Sequence, residues 1–178
     1  NAIGTINLFE AMRITNCKAR VLTSATPEEF GDVPADMIPI TETTRIHPIN
    51  PYAASKAAQD MVCMTYYASY KMDIVRTRAF NHEGPRRNVH GAIASFAYQI
   101  ACIEAGLQEP VIKVGNLSAT RNFTDIRDTV NAYFLAMEKG EAGELYLIGT
   151  DQIYTMEELL HKLINHSPAK DKIKIERF

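Results

Sequence analysis

Apolar residues alternate along this chain between helical spacing and short β-prone runs, and this alternation constrains the fold more than any other feature. Helices are predicted over residues 2–13, 53–70 and 91–105, and around 130–137 and 159–164. Strands are predicted over residues 20–24, 73–80, 111–114, 145–148 and 172–178. Strands that alternate with helices form largely parallel sheets with helices on their faces. The sequence therefore predicts an α/β fold with a largely parallel sheet.

Composition and charge limit the classes of partner. The chain has 178 residues, of which 46% are hydrophobic, enough for a domain with a sizeable core. Its net charge of −2 gives no basic surface, so we expect no nucleic-acid partner. No apolar run reaches about 18 residues, so we expect no membrane contact, and with no signal peptide we expect a cytoplasmic protein. Three cysteines without C-x-x-C spacing indicate reduced thiols and no metal site.

Tyr52 and Lys56 form the first candidate site. Pro51 is typical of the first position of a helix, where its missing N–H has no partner to lose. Residues four apart share one helical face, about 5–6 Å apart at the Cβ atoms. Because a neighbouring cation favours the phenolate, a tyrosine in such a pair can act as an acid or base. An ordinary surface pair has the same spacing, so the pair alone leaves that alternative open.

Two further polar segments follow predicted strands. Thr26 and Glu28 follow the strand at 20–24, and the segment 81–87 follows the strand at 73–80. In open α/β sheets, binding and catalytic residues collect at the carboxyl ends of the strands. We therefore expect these segments and the Tyr–Lys pair to contribute to one site.

Five segments carry a resemblance to a known family. They are GTINLFEAMR (4–13), TSATPEEFG (23–31), NPYAASKAA (50–58), RTRAFNHEGPRR (76–87) and PVIKVGNLSATRNFTDIRD (110–128). In this order they resemble the extended short-chain dehydrogenase/reductase family, also called the NAD-dependent epimerase/dehydratase family. Within it they are similar to GDP-mannose 4,6-dehydratases and GDP-4-keto-6-deoxymannose reductases. Because the matches fall across nearly the whole chain, they favour a catalytic Tyr–Lys pair over an ordinary surface pair, which the spacing alone could not do.

The resemblance implies a domain organisation. Residues 1–80 would be the C-terminal half of a Rossmann-like cofactor domain that carries the catalytic residues. Residues 81–178 would be mainly substrate-binding, with 121–139 packing back on the Rossmann part. The family keeps a G-x-x-G-x-x-G phosphate loop in its first half, and this chain has none. We therefore expect the C-terminal portion of a longer enzyme, inactive by itself, that assembles as a dimer or tetramer through the helices near 2–13 and 53–70.

The resemblance also implies a reaction. Such enzymes oxidise a sugar at C4 by hydride transfer to NADP (or NAD), eliminate water across C5 and C6, and return the hydride to C6. Tyr52 would be the base for the C4 hydroxyl, and Lys56 would support Tyr52 and bind the cofactor ribose. Thr26 would hydrogen-bond the reacting oxygen. Glu28 would be the base at C5, because a carboxylate suits proton removal next to a carbonyl.

Further residues would bind the cofactor and the substrate. Those expected at the cofactor are Lys56, Phe80, His82 and Arg87. Those expected at the nucleotide sugar, a GDP-linked hexose, are Asn81, Asn116 and Arg121. A guanidinium recognises phosphate through paired donors, which favours the two arginines for these roles.

Pro27 departs from the pattern of the family. Enzymes that act on dTDP-glucose usually carry an acidic residue at this position, and the GDP-mannose enzymes carry a serine. Proline cannot donate a proton, so Pro27 counts against a dTDP-glucose dehydratase. Three hypotheses follow: a GDP-mannose 4,6-dehydratase, a GDP-4-keto-6-deoxymannose reductase or other epimerase/reductase of the family, and a non-catalytic binding or assembly fragment.

Overall fold

The computed structural model describes residues 1–178 as two compact units. Unit 1 contains Asn1–Phe80 and Arg127–Gly149. Unit 2 contains Asn81–Ile126 and Thr150–Phe178. No helix in either unit is both long enough and apolar enough to cross a membrane.

Helices and strands alternate through most of the chain. The helices are α1 (Ala2–Ile14), α2 (Pro51–Tyr70), α3 (Ala92–Glu104), α4 (Ile126–Lys139) and α5 (Met156–His166). The strands are β1 (Val21–Ala25), β2 (Ile74–Ala79), β3 (Asn81–Glu83), β4 (Val111–Val114), β5 (Thr120–Asp125), β6 (Leu145–Ile148), β7 (Ile153–Thr155) and β8 (Lys174–Arg177). Two short 3-10 turns, Pro27–Phe30 and Ala35–Met37, lie between β1 and α2.

Unit 1 is built on a parallel sheet with the strand order β1-β2-β6. All six residues of the central strand β2 are buried, as expected for a parallel strand covered on both faces. Helices α1 and α2 pack together, and a buried cluster of Phe9, Met12, Cys63 and Ile74 joins them to β2. The charged side chains of β2 are also buried, and they become important at the candidate site.

Unit 2 contains two small sheets. One has the order β3-β5-β7, with β3 and β5 parallel and β5 and β7 antiparallel, and the other pairs β4 with β8 in parallel. Helices α3 and α5 share a core with β4. Its fully or largely buried members include Phe96, Ile100, Ile112, Val114, Leu160 and Ile164.

The predicted α/β fold is confirmed, and the five predicted helices and five predicted strands are all present. Three strands were not predicted. β3 lies within the segment 81–87, which was expected only to follow the strand at 73–80, and β5 and β7 had no predicted counterpart. These strands are held by partners far away in sequence, so the local pattern does not reveal them.

Candidate functional site

Asn50 and Pro51 set the start of α2 and thereby the position of Tyr52. Asn50 is extended, with φ −142° and ψ 161°, and its Oδ1 accepts a hydrogen bond from the N–H of Ala53. The donor and acceptor are 2.8 Å apart, which is the usual geometry of a helix N-cap. Tyr52 follows in the first helical turn, and its side chain is half exposed at 49%.

Lys56 is anchored one helical turn further along α2. Its Nζ donates to the carbonyl oxygen of Ser24 over 2.7 Å and to Oε1 of Gln59 over 3.1 Å. Ser24 is the penultimate residue of β1. The ammonium therefore joins the carboxyl end of β1 to the helical face that also carries Tyr52.

Thr26 caps the 3-10 turn that follows β1. Its Oγ1 accepts from the N–H of Glu28 at 3.4 Å, and its own N–H donates to Oε1 of Glu29 at 3.2 Å. This reciprocal pair is a capping box. A hydroxyl has one donor and two acceptor positions, so accepting the cap bond leaves the O–H able to donate elsewhere. Turn capping and the predicted contact with a reacting oxygen are therefore compatible.

Glu28 is exposed, and its carboxylate contacts the start of α2. Its Oε2 accepts a hydrogen bond from Nδ2 of Asn50 over 3.0 Å. The structure thus brings Glu28 together with the first turn of the helix that carries Tyr52 and Lys56. The sequence reasoning missed Asn50. An asparagine before a proline could have predicted the cap, but nothing local indicates the bond to Glu28.

Four buried charged residues connect this region to the central strand. Arg78 on β2 lies with Nη2 2.6 Å from Oδ2 of Asp60 on α2, and with Nε 2.9 Å from Oε2 of Glu29. Arg76 Nη1 lies 3.1 Å from each carboxylate oxygen of Asp60. The Arg78, Asp60 and Glu29 side chains are at most 2% exposed. Two positive and two negative charges leave the cluster neutral, which is how charges are tolerated in an interior.

This buried charge cluster (Glu29, Asp60, Arg76 and Arg78) fixes the 3-10 turn and α2 to the same strand. The Arg78 guanidinium also lies 4.8 Å from the centre of the Phe30 ring. Burial raises the pKa of the Glu29 carboxyl, while Arg78 and the N–H of Thr26 act in the opposite direction. The sequence reasoning did not predict this cluster, although two arginines within an apolar strand were its visible signal.

The predicted binding residues of unit 2 include Asn81 and His82 on β3, which pair with Phe123 and Thr124 of β5. Arg87 is exposed, and its Nε lies 3.8 Å from Oε1 of Glu83. Burial raises the pKa of Glu83, and Arg87 and His82 partly offset this. An open groove of about 520 Å³ lies beside these residues. Its lining includes Glu83, Pro85, Arg86, Arg87, Ile93 and Tyr98.

The remaining predicted binding residues have local partners. Asn116 uses its Oδ1 to accept from the N–H and the hydroxyl of Ser118, at 2.9 and 2.8 Å. Arg121 on β5 is exposed, and its Nη1 donates to the carbonyl oxygen of Thr120 over 2.8 Å. In unit 1, the N–H of Phe80 donates to the carbonyl oxygen of Ile148 over 2.8 Å. Their contacts with substrate and cofactor stay predictions.

A family model described as GDP-mannose 4,6 dehydratase matches residues 1–176, nearly the entire chain. The chain belongs to this family. The resemblance stated from the five sequence segments is thereby confirmed. Family membership agrees with the fold, because the unit 1 sheet has the parallel order expected of a Rossmann-like domain.

Individual relatives extend this result. The chain is 34% identical over 163 residues to GDP-6-deoxy-D-mannose reductase of Pseudomonas aeruginosa, covering 92% of this chain and 54% of the relative. It is 31% identical over 182 residues to GDP-mannose 4,6 dehydratase 1 of Arabidopsis thaliana, covering 99% and 49%. The solved structure of RMD from Pseudomonas aeruginosa complexed with NADPH superposes with a TM-score of 0.91 at 31% identity, covering 98% and 58%. The chain therefore spans about half the length of these two relatives.

Proposed function

We propose that the protein carrying this chain is a nucleotide-sugar 4,6-dehydratase that converts GDP-mannose into GDP-4-keto-6-deoxymannose. The observation that carries the proposal is the exposed carboxylate of Glu28, bonded to Asn50 at the start of the helix that bears Tyr52 and Lys56. A dehydratase needs a second base besides the tyrosine, and this carboxylate is a suitable one.

In this proposal four residues carry out or support the reaction at C4 and C5. Tyr52 removes the proton from the C4 hydroxyl as that carbon is oxidised, and Lys56 supports the charged phenolate. Thr26 donates a hydrogen bond to the C4 oxygen. Glu28 then removes the proton from C5, which is acidified by the new C4 ketone. The C6–O bond breaks as the C5–C6 double bond forms, and the hydroxyl leaves as water with the proton that Glu28 took.

The residues present fit part of a nicotinamide cofactor, for which we propose NADP, with NAD as the alternative. Lys56 offers an ammonium at the carboxyl end of β1, suited to ribose hydroxyls, and Arg87 offers exposed donors suited to phosphate. Phe80 and His82 are the other proposed contacts. This chain contains no G-x-x-G-x-x-G loop, so the pyrophosphate would need donors from elsewhere in the protein. When bound, the cofactor would accept the hydride from C4 and return it to C6.

For substrate binding we propose Asn81, Asn116 and Arg121, with Arg121 on the diphosphate of a GDP-linked hexose. We further propose that the protein forms a homo-oligomer, a dimer or tetramer, through α1 and α2. These two packed helices carry several exposed apolar side chains. They include Ile3 at 75% exposure, Leu8 at 51%, Met61 at 45% and Met64 at 42%.

A GDP-4-keto-6-deoxymannose reductase is the second candidate. The 34% identity to GDP-6-deoxy-D-mannose reductase of Pseudomonas aeruginosa favours it. A reductase would use Tyr52 to protonate the C4 oxygen while hydride arrives from the cofactor, and it would not need Glu28 as a base. A non-catalytic binding or assembly role is the third candidate.

The test is incubation of the complete protein with GDP-mannose and NADP in deuterated water. A dehydratase forms the 4-keto-6-deoxy product and incorporates deuterium at C5, since solvent replaces the proton taken by Glu28. Glu28→Gln should remove both signals. If GDP-mannose is unchanged but NADPH is oxidised on addition of GDP-4-keto-6-deoxymannose, the protein is a reductase. If neither reaction occurs, the non-catalytic role is supported.

A further inference from the structure

The side-chain amide of Asn50 makes two contacts, one through its oxygen with α2 and one through its nitrogen with the carboxylate of Glu28. We propose that Asn50 is a positioning residue that holds the Glu28 carboxylate in a fixed relation to the first turn of α2. The contact itself is a property of this chain, and only its catalytic consequence rests on the proposed function.

The residue type fits this double contact. Oδ1 of Asn50 accepts from the N–H of Ala53, and Nδ2 donates to Oε2 of Glu28. Asparagine, aspartate and serine are about equally good at a helix N-cap, so capping alone does not require an asparagine. Among side chains suited to this cap, only an asparagine combines the cap acceptor with a separate N–H donor. The bond to Glu28 uses that donor.

The main chain at Glu28 is also fixed on both sides. The N–H of Glu28 bonds to Thr26, and the next residue, Glu29, is buried against Arg78. Glu28 itself is exposed, and a free glutamate side chain populates several rotamers. The bond from Asn50 restricts these rotamers. The backbone of Glu28 is held by its neighbours, and the bond from Asn50 holds its side chain as well.

Asn50 thereby relates the positions of two candidate proton-transfer groups, Glu28 and Tyr52, to the first turn of α2. Tyr52 lies two residues after Asn50, in the first turn of α2, and Glu28 is held to Asn50. Displacing a reacting group by about 1 Å can reduce the rate roughly 100-fold. A change at Asn50 that preserves the helix but releases Glu28 should therefore reduce turnover without weakening substrate binding.

The first test compares Asn50→Asp with Asn50→Ala in the complete protein. Aspartate keeps the cap but cannot donate to Glu28, whereas alanine removes both. We expect kcat to fall at least about tenfold in both variants, with KM changed by less than about threefold. We expect the loss of the cap to lower the Tm of Asn50→Ala by about 2–4 °C relative to the wild type. Thr155→Ala removes the N-cap of α5 and is the control, because it should lower Tm and leave kcat unchanged.

The second test does not depend on activity. In Asn50→Asp two carboxylates face each other, and in Glu28→Gln the bond becomes one between neutral amides. The double variant Asn50→Asp/Glu28→Gln allows the new amide at position 28 to donate to the new carboxylate at position 50, which reverses the direction of the bond. We expect the Tm of the double variant to exceed the value obtained by adding the Tm changes of the two single variants, because the effects of substitutions at residues in contact are not additive.

The outcomes separate the two proposals. Additive Tm changes in the double variant would overturn the role of Asn50, as would an Asn50→Asp enzyme with the kcat of the wild type. A complete protein that makes no product from GDP-mannose would instead overturn the proposed function. The Tm comparison would still decide whether Asn50 holds Glu28.

Discussion

Lys56 Nζ lies 2.7 Å from the carbonyl oxygen of Ser24, so an ammonium on α2 is held at the carboxyl end of β1. The same helix carries Tyr52 one turn earlier. A bond between strand and helix at this point fixes how the first turns of α2 are rotated against the sheet. The rotation determines where the Tyr52 phenol points.

The role of Tyr52 can be tested by Tyr52→Phe in the complete protein. If the phenol transfers a proton, its loss should reduce kcat by about 10²–10⁴-fold and change substrate affinity little, because the ring is retained. The measurement is kcat from product formation and Kd from isothermal titration with GDP-mannose.

Tyr70→Phe is the matched control, since Tyr70 lies on the same helix and is 52% exposed, against 49% for Tyr52. It should leave both quantities unchanged. Equal losses of turnover and binding in Tyr52→Phe would contradict the assigned role.

The buried charge cluster predicts a large effect of Arg78→Met. Removal of the guanidinium leaves Glu29 without its ion-pair partner and Asp60 with Arg76 alone. Breaking a buried pair in this way costs about 3–5 kcal/mol of unfolding free energy. Urea denaturation measures this loss of unfolding free energy. Arg78→Lys keeps the positive charge but cannot contact both Glu29 and Asp60, and its loss should be smaller than that of Arg78→Met.

An exposed ion pair of the same type is available as the comparison. Arg177 and Glu157 are 65% and 50% exposed, with their charged atoms 3.1 Å apart. Arg177→Met should cost less than about 1 kcal/mol. If Arg78→Met and Arg177→Met lowered the free energy of unfolding by similar amounts, burial would not increase the contribution of the ion pairs to stability.

Much of the fold could be predicted from sequence because it depends on local patterns. The helix at 53–70 was indicated by Pro51 and helix-favouring residues, and it begins at Pro51 in the structure. The catalytic candidates also lie in short motifs. What could not be predicted depends on contacts between distant residues. Asn50 and Glu28 are 22 residues apart, and Arg78 and Asp60 are 18 apart. No single helix or strand contains both residues of either pair, so local periodicity does not predict these bonds.

The proposed oligomer interface predicts an effect of Met61→Lys. Met61 is 45% exposed on α2, and a charge there would be desolvated if two copies pack through this helix. We expect the variant to sediment as a smaller species than the wild type. Val130→Lys is the control, because Val130 is 57% exposed on α4, outside the proposed interface. A wild-type sedimentation coefficient for Met61→Lys would contradict an interface centred on this face of α2.

The contact between α1 and α2 predicts a pH-dependent contribution from Glu10. Its carboxylate accepts bonds from Arg13 at 2.8 and 3.0 Å and from the Tyr66 hydroxyl at 2.8 Å. Arg13 first, and then Tyr66, lowers the pKa of Glu10 from 4.5 to about 2. Because the pKa is lower in the folded state, the stabilisation is complete above about pH 4.5 and is lost as the pH falls towards 2.

Glu10→Gln tests this contribution by thermal unfolding across the acid range. The difference in Tm between wild type and variant should be constant above about pH 5 and should shrink steadily as the pH falls towards 2. The difference should be small and should decrease in high salt, because the pair is exposed. In an Arg13→Met background, where the first cause of the lowered pKa is gone, Glu10→Gln should have less effect and its pH dependence should move to higher pH. A Tm difference that is unchanged from neutral pH to pH 2 would show that the carboxylate does not stabilise the α1–α2 contact through its charge.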